Sequence, residues 1–238
     1  ILVCKGVACS GEDERGKGGV VVLQGDAGTG KSLVMKAAFA RLRQQADVGG
    51  GGGQAAPSLR FLVNHPEMIK LYRRIAEDVP GLRKRDYERP TTFINQSRQT
   101  GYVTDIVFVD EAHLLLSRKD AYNRFLQDNQ LEEILRASRV VVMVFDPRQV
   151  LKFKSFWSED TLHHLLGERP VVTYRLTTQF RMRAHADVSR WIEAFCQCRL
   201  LPFPALQPFV FRIFEAPQTL SDTIRKHAAA AVILRLLA

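Results

Sequence analysis

The sequence predicts an α/β domain with a mostly parallel central sheet flanked by helices. Segments typical of strands and of helices alternate along the chain, and this order favours parallel strands joined by crossover helices. The segments Asp105 to Asp110 (DIVFVD) and Val140 to Phe145 (VVVMVF) contain continuous apolar runs, as expected of strands buried on both faces. A glycine-rich turn joins the first predicted strand, Val20 to Gly25, to a helix over Leu33 to Arg43. These three observations together indicate the fold class.

The remaining elements follow in chain order. Leu59 to Asn64 (LRFLVN) predicts the second strand. After Pro66, apolar residues recur with the spacing of one helical face: Met68, Leu71, Tyr72, Ile75 and Ala76. The polar, basic segment 80–101 lacks periodicity and predicts a loop with short elements. Further helices are predicted over Leu131 to Arg136, Ser158 to Leu166, Ala184 to Phe195 and Pro217 to Leu237, and further strands over Val171 to Leu176 and Phe209 to Phe214.

The length of 238 residues exceeds the usual size of one domain. We predict a first α/β domain over 1–175, interrupted by a flexible Gly-rich insert over 49–58. The start of a second α/β domain is predicted over 176–238. Because the chain begins with Ile1 and carries no secretory signal, we expect it to be a fragment of a longer protein.

The composition is that of a globular protein, with 46% hydrophobic and 25% charged residues. No apolar run reaches the roughly 18 residues of a membrane span, so no membrane association is expected. Four cysteines lie near opposite ends of the chain, at Cys4, Cys9, Cys196 and Cys198. Their spacing is not typical of a zinc site, and we interpret them as ordinary thiols of a reducing, cytoplasmic compartment.

The formal net charge is +9. An excess of this size favours a polyanionic partner, and nucleic acid is the commonest one. Basic clusters such as Arg73-Arg74 and Arg83-Lys84-Arg85 strengthen this expectation. A basic surface that is merely solvated is the alternative.

The turn after the first strand reads GDAGTGKS and fits the phosphate-binding pattern G-x-x-x-x-G-K-[ST]. Its residues are Gly25, Asp26, Ala27, Gly28, Thr29, Gly30, Lys31 and Ser32. Glycines at these positions let successive backbone N–H groups point at phosphate oxygens, and the following helix presents its N-terminus to the same anion. Lys31 is expected to reach the β- and γ-phosphates, and the Ser32 hydroxyl to bind Mg²⁺. The pattern therefore predicts binding of a nucleoside triphosphate.

Two carboxylates end the predicted central strand, at Asp110 and Glu111. Ligands of open α/β sheets bind at the carboxyl ends of the strands. Asp110 is expected to hold Mg²⁺ against the phosphates, and Glu111 to orient or deprotonate the attacking water. His113 has two readings, as a structural residue or as a link from this site to neighbouring elements.

Two further segments carry polar residues at the same edge. The strand ending in FDPRQV places Asp146 and Gln149 there, and a glutamine can sense the γ-phosphate or hold the attacking water. The stretch LTTQFRMR (176–183) follows another strand, and Arg181 is a candidate for stabilising charge in the transition state. A helix-capping turn with surface arginines is the alternative for this stretch.

The four segments GDAGTGKS, VDEAH, FDPRQV and LTTQFRMR resemble motifs I to IV of superfamily 1 helicases. Together with FRIFEAPQTL (211–220), they resemble more closely the Schlafen group 3-type DNA/RNA helicase domain, over roughly residues 19–225. This resemblance implies RecA-like P-loop NTPase domains with ATP held between two of them. It also implies Gln149 as γ-phosphate sensor and Arg181 as the motif IV arginine. Nothing after Arg181 matches the later helicase motifs, and we therefore expect residues 176–238 to be the beginning of a second domain that continues in a longer protein.

The first functional hypothesis is therefore an ATPase with ATP and Mg²⁺ as cofactors, acting as the motor of a nucleic-acid helicase or translocase. Its partner would be DNA or RNA, expected to be single-stranded, with the aromatic and basic stretch 152–157 (KFKSFW) as a candidate contact. The alternative is a P-loop ATPase switch or defence-type regulator that does not unwind nucleic acid. A phosphotransferase is disfavoured, because Glu111 beside Asp110 suits the activation of water.

Overall fold

The computed structural model of the chain describes residues 18–26, 28–48, 56–146, 159–178, 180, 186–204 and 211–229, and within them six strands form one sheet. The strands are β1 (Gly19–Gly25), β2 (Leu59–Val63), β3 (Tyr87–Glu88), β4 (Thr104–Asp110), β5 (Ser138–Val144) and β6 (Val171–Leu176). Their order in the sheet is β3-β2-β4-β5-β1-β6, and every pairing is parallel. The predicted α/β class with a mostly parallel sheet is confirmed.

Helices connect these strands and continue beyond them. They are α1 (Lys31–Val48), α2 (Pro66–Asp78), α3 (Pro90–Thr100), α4 (Gln130–Arg136), α5 (Glu159–Leu166), α6 (Ala186–Cys196) and α7 (Pro217–Ala229). Local sequence fixes several of their ends. Proline occupies the first turn of α2 and α3, where its missing N–H costs nothing. The Asn129 side chain caps α4 by accepting hydrogen bonds from the backbone N–H groups of Leu131 and Glu132.

Both faces of the sheet are covered at its central strands, which is why β1, β4 and β5 are apolar without alternation, whereas the edge strand β6 is largely exposed. Along β1, Val20 and Val22 pack into one core with side chains of α3, α4 and α5. Val21 and Leu23 point to the other face and pack with side chains of α1 and α2. The first unit is therefore a three-layer arrangement of helices, sheet and helices.

The segment 80–101 is more ordered than the sequence predicts. It contains a 3₁₀ turn (Lys84–Asp86), the short strand β3 and the eleven-residue helix α3. Helix α3 buries only Pro90, Phe93 and Ile94, which is too few apolar residues to give a helical period. Its boundaries are nevertheless encoded, because Pro90 starts it and Gly101 ends it in the left-handed conformation (φ +67°).

Helix α2 also differs in detail from its prediction. Its buried side chains are Ile69, Tyr72 and Ala76, whereas Leu71 is exposed. The buried face of the helix is therefore rotated slightly about the helix axis, so that Ile69 is buried in place of Leu71. Tyr72 lies at the centre of the buried face.

The chain divides into two compact units, Ile1–Met182 and Arg183–Ala238. In the second unit, the ring of Trp191 on α6 stacks on Phe195 and meets Phe203 and Phe211 edge to face. The strand predicted over 209–214 is absent from its described part, 211–214, which is neither strand nor helix.

Helix α7 matches the start of the predicted 217–237 helix, and residues 230–237 lie outside the described part. Cys196 and Cys198 are free, exposed thiols. Cys4 and Cys9 lie outside the described residues. Of the helices described, none is both long enough and apolar enough to cross a bilayer.

Candidate active site

The glycine-rich loop lies between the carboxyl end of β1 and the first turn of α1. Gly28 and Gly30 have φ values of +90° and +83°, which residues with a Cβ rarely adopt. The backbone N–H of Thr29 donates to the Asp26 carbonyl at 3.2 Å, and its hydroxyl donates to the same oxygen at 2.8 Å. These contacts hold the loop in a tight turn before the helix.

Lys31 is buried in this turn, with 8% of its side chain exposed. Its ammonium group donates to the carbonyl oxygens of Gly25 and Asp26, the latter at 2.9 Å. It also forms an ion pair with the Asp146 carboxylate at 3.3 Å. Asp146 follows β5, so this pair joins the ends of two neighbouring strands.

Asp110 ends β4 and is 4% exposed. Each of its carboxylate oxygens accepts a hydrogen bond, one from the Ser32 hydroxyl at 3.1 Å and the other from the Tyr72 hydroxyl at 2.6 Å. Burial raises the pKa of Asp110, and the neighbouring Glu111 adds to this rise, whereas the bonds from Tyr72 and Ser32 oppose it. Burial and the charge of Asp110 raise the pKa of Tyr72, so that its hydroxyl remains a donor.

Glu111 directly follows β4 and has left-handed backbone angles (φ 54°, ψ 52°), which are uncommon for a residue with a Cβ. Its carboxylate is 42% exposed and lies 3.0 Å from Nε2 of His113, whose side chain is 2% exposed. His113 is therefore a buried residue that contacts the Glu111 carboxylate, and its role as a link to neighbouring elements stays a prediction. Nδ1 of His113 is buried and has no hydrogen-bond partner among the described residues.

The sheet order explains why these groups meet. Strands β4, β5 and β1 are neighbours, and in a parallel sheet their carboxyl ends lie at one edge. The structure thus brings Lys31, Ser32, Asp110 and Asp146 together, with Glu111 beside them. The hydroxyl and carboxylate of Ser32 and Asp110 are the hard oxygen donors that Mg²⁺ prefers, and one or two protein oxygens plus phosphates are its usual ligands. The residues present fit a magnesium ion.

A polar cleft of about 360 Å³ lies farther along the same edge, where β2 and β4 end. Its lining includes Asn64, Arg89, Thr91, Asn123 and Gln130. No role is predicted for these residues from the sequence. Position along the chain is the sequence feature that could have indicated two of them, because Asn64 directly follows β2 and Arg89 directly precedes α3.

Three of the sequence-predicted site residues, Ala27, Gln149 and Arg181, lie outside the described residues, as does the stretch 152–157. Their roles stay predictions. Conversely, Tyr72 contacts Asp110, whereas from the sequence it is predicted only to lie on an apolar helical face. One sequence signal could have indicated this contact. Tyr72 is a tyrosine on the apolar face of α2, and α2 follows β2, the strand that pairs with β4.

The chain is similar to proteins of known sequence or structure. It is 36% identical over 191 residues to the uncharacterised protein YPL245W of Saccharomyces cerevisiae, a match covering 76% of this chain and 42% of that protein. A structural comparison with the Pif1 helicase of Candida albicans gives a TM-score of 0.41 at 14% identity, covering 90% of this chain and 52% of that one. The chain thus spans about half the length of these proteins or less. The family described as Schlafen group 3, DNA/RNA helicase domain, matches residues 18–238, and the chain belongs to this family.

Proposed function

We propose that this chain binds ATP with Mg²⁺ and hydrolyses it, as the motor part of a nucleic-acid helicase or translocase. The observation that carries the proposal is the meeting of Lys31, Ser32 and Asp110 at one sheet edge, with the exposed carboxylate of Glu111 beside them. A cation, a hydroxyl and two carboxylates in this arrangement supply the parts that phosphoryl transfer to water needs.

Each described side chain has a separate task in this proposal. The backbone of the loop and Lys31 bind the phosphates, and Ser32 and Asp110 hold the magnesium ion. The bound Mg²⁺ would neutralise charge on the phosphate oxygens. Glu111 takes the proton of the attacking water, and its contact with His113 at 3.0 Å orients the carboxylate that does so. Gln149 and Arg181 complete the proposal as γ-phosphate sensor and transition-state cation.

The partner proposed is single-stranded DNA or RNA. The net charge of +9 supports a polyanionic partner. The cleft beside the site is lined by the Arg89 guanidinium, the His65 imidazole and the Asp120 carboxylate, among amide and hydroxyl groups. Such a mixture can contact a phosphate backbone and base edges together.

The test uses the full-length protein and measures phosphate release with and without single-stranded DNA and single-stranded RNA. The motor proposal expects ATP turnover that rises with at least one of the two. A Lys31→Ala variant gives the background from contaminating ATPases. Turnover that neither nucleic acid changes, together with nucleotide-dependent binding of a protein partner, would refute the motor and favour the switch or regulator.

A further inference from the structure

We propose that Tyr72 is a positioning residue for the magnesium ion: its hydroxyl fixes the carboxylate of Asp110 and thereby sets the affinity of the site for Mg²⁺. The inference rests on the proposed function, in which Asp110 holds that ion. It adds a residue from α2, an element that carries none of the sequence-predicted site residues.

The two oxygens of Asp110 accept hydrogen bonds from two different helices. Ser32, in the first turn of α1, donates to Oδ1 at 3.1 Å, and Tyr72 donates to Oδ2 at 2.6 Å. A single hydrogen bond would leave the carboxylate free to turn about its Cβ–Cγ bond. Two bonds from two helices fix its plane, and with it the direction of the lone pairs that are left for a metal.

Tyr72 can act as a fixed donor because its own ring is held on several sides. The side chain is 1% exposed. The ring stacks on Tyr87, with centroids 5.7 Å apart and planes 11° apart, and packs against Phe61 at 5.3 Å. The Lys36 ammonium lies 4.5 Å from the ring centroid, within the range of a cation–π contact.

The hydroxyl of Tyr72 has a role separate from the packing of its ring. Packing in this aromatic cluster needs only the ring, and Phe39, Phe61 and Phe108 supply rings without hydroxyls in the same core. The hydroxyl of Tyr72 instead donates to a carboxylate that is 4% exposed. Groups that orient metal ligands in this way commonly change metal affinity or activity 10- to 100-fold when they are removed.

The experiment compares Tyr72→Phe with Tyr87→Phe in the full-length protein. Tyr87→Phe is the matched control, because it removes a hydroxyl from the same buried cluster and leaves Asp110 untouched. A fluorescent ATP analogue is titrated in EDTA and at graded Mg²⁺ concentrations. Binding of Mn²⁺ to the protein–nucleotide complex is followed by electron paramagnetic resonance, so that metal affinity is read without turnover.

For Tyr72→Phe, we expect nucleotide affinity in EDTA equal to that of the wild type. The Mg²⁺ concentration for half-maximal enhancement of binding should rise about 10- to 100-fold, with a matching loss of Mn²⁺ affinity. Tyr87→Phe should behave as the wild type in both measurements.

An unchanged Mg²⁺ dependence in Tyr72→Phe would overturn the proposal. So would an equal loss of nucleotide affinity in EDTA, because the hydroxyl would then support the whole site and not the metal. Failure of the proposed function is distinguishable from both, since the wild-type protein itself would then bind no nucleotide.

Discussion

Replacing Gly25 by alanine should disturb both the phosphate loop and the sheet below it. A Cβ built on Gly25 lies 2.6 Å from Oγ1 of Thr29 and 2.7 Å from the carbonyl oxygen of Leu176. Ordinary van der Waals contacts begin at 3.4 Å, so these atoms must move by about 0.8 Å and about 0.7 Å. The added methyl group therefore meets one atom of the loop and one of β6.

Neither neighbour can retreat without loss. Thr29 can turn away only by giving up its hydrogen bond to the Asp26 carbonyl at 2.8 Å. The Leu176 carbonyl belongs to the backbone, and Leu176 is paired with Gly25 in the β1–β6 ladder. Inserting a methyl group into such a packed place costs about 1–3 kcal/mol. A loop displaced by close to 1 Å loses about 100-fold in turnover.

Urea unfolding and phosphate release measure the two effects separately. Gly101→Ala is the control, because Gly101 also has a positive φ (+67°) but an added Cβ meets nothing within 4 Å. It should lose about 1 kcal/mol of stability through its backbone conformation alone and keep its nucleotide affinity. If Gly25→Ala unfolds at the wild-type urea concentration and turns over ATP at the wild-type rate, the steric reasoning is wrong.

Three further substitutions test the site and its surroundings. Lys31→Ala should abolish measurable binding of a fluorescent ATP analogue, because the phosphates lose their cation; affinity within threefold of the wild type would contradict this. Glu111→Gln should retain that binding and lower phosphate release about 10²- to 10⁴-fold, and retained turnover would remove Glu111 from the role of base. Tyr87→Phe probes alkaline stability, because burial raises the pKa of Tyr87 to about 12 from an unfolded value of 10.0. Between pH 10 and 12 the hydroxyl is ionised in the unfolded chain but neutral in the folded one. Its contribution to the free energy of unfolding is therefore complete below pH 10 and falls by about 1.4 kcal/mol per pH unit as pH rises from 10 towards 12. The free energy of unfolding of the wild type, measured against Tyr87→Phe, should therefore fall between pH 10 and 11, and a constant difference would count against the burial argument.

Local patterns were sufficient to predict the parallel sheet and the glycine-rich turn that follows its strand β1. The apolar runs of β1, β4 and β5 are continuous because both faces of the sheet are covered, and this makes them visible in the sequence. The loop 25–32 was equally visible, since its glycines and lysine have fixed spacing.

What the sequence concealed depends on contacts between distant residues. Tyr72 and Asp110 are 38 positions apart and look like a core residue and a strand end until the fold joins them. The sequence places Asp146 at the same sheet edge as the loop, but the ion pair that it forms with Lys31 spans 115 positions and was not predicted. Helix α3 was missed for a different reason, because a helix that buries so few apolar side chains has no period to detect.

The position of β1 in the sheet has a consequence for how the protein is made. β1 is the first of the described strands in chain order, yet its two neighbours are the last two strands of the sheet, β5 and β6. During synthesis the glycine-rich loop therefore emerges long before either strand that supports it, and its closure depends on contacts of high sequence separation. A chain that stops before Ser138 lacks both neighbours of β1 and also Asp146. Under the proposed function, nucleotide binding would begin only once β5 and β6 have joined the sheet. The nucleotide would then bind fully folded molecules and stabilise them by mass action.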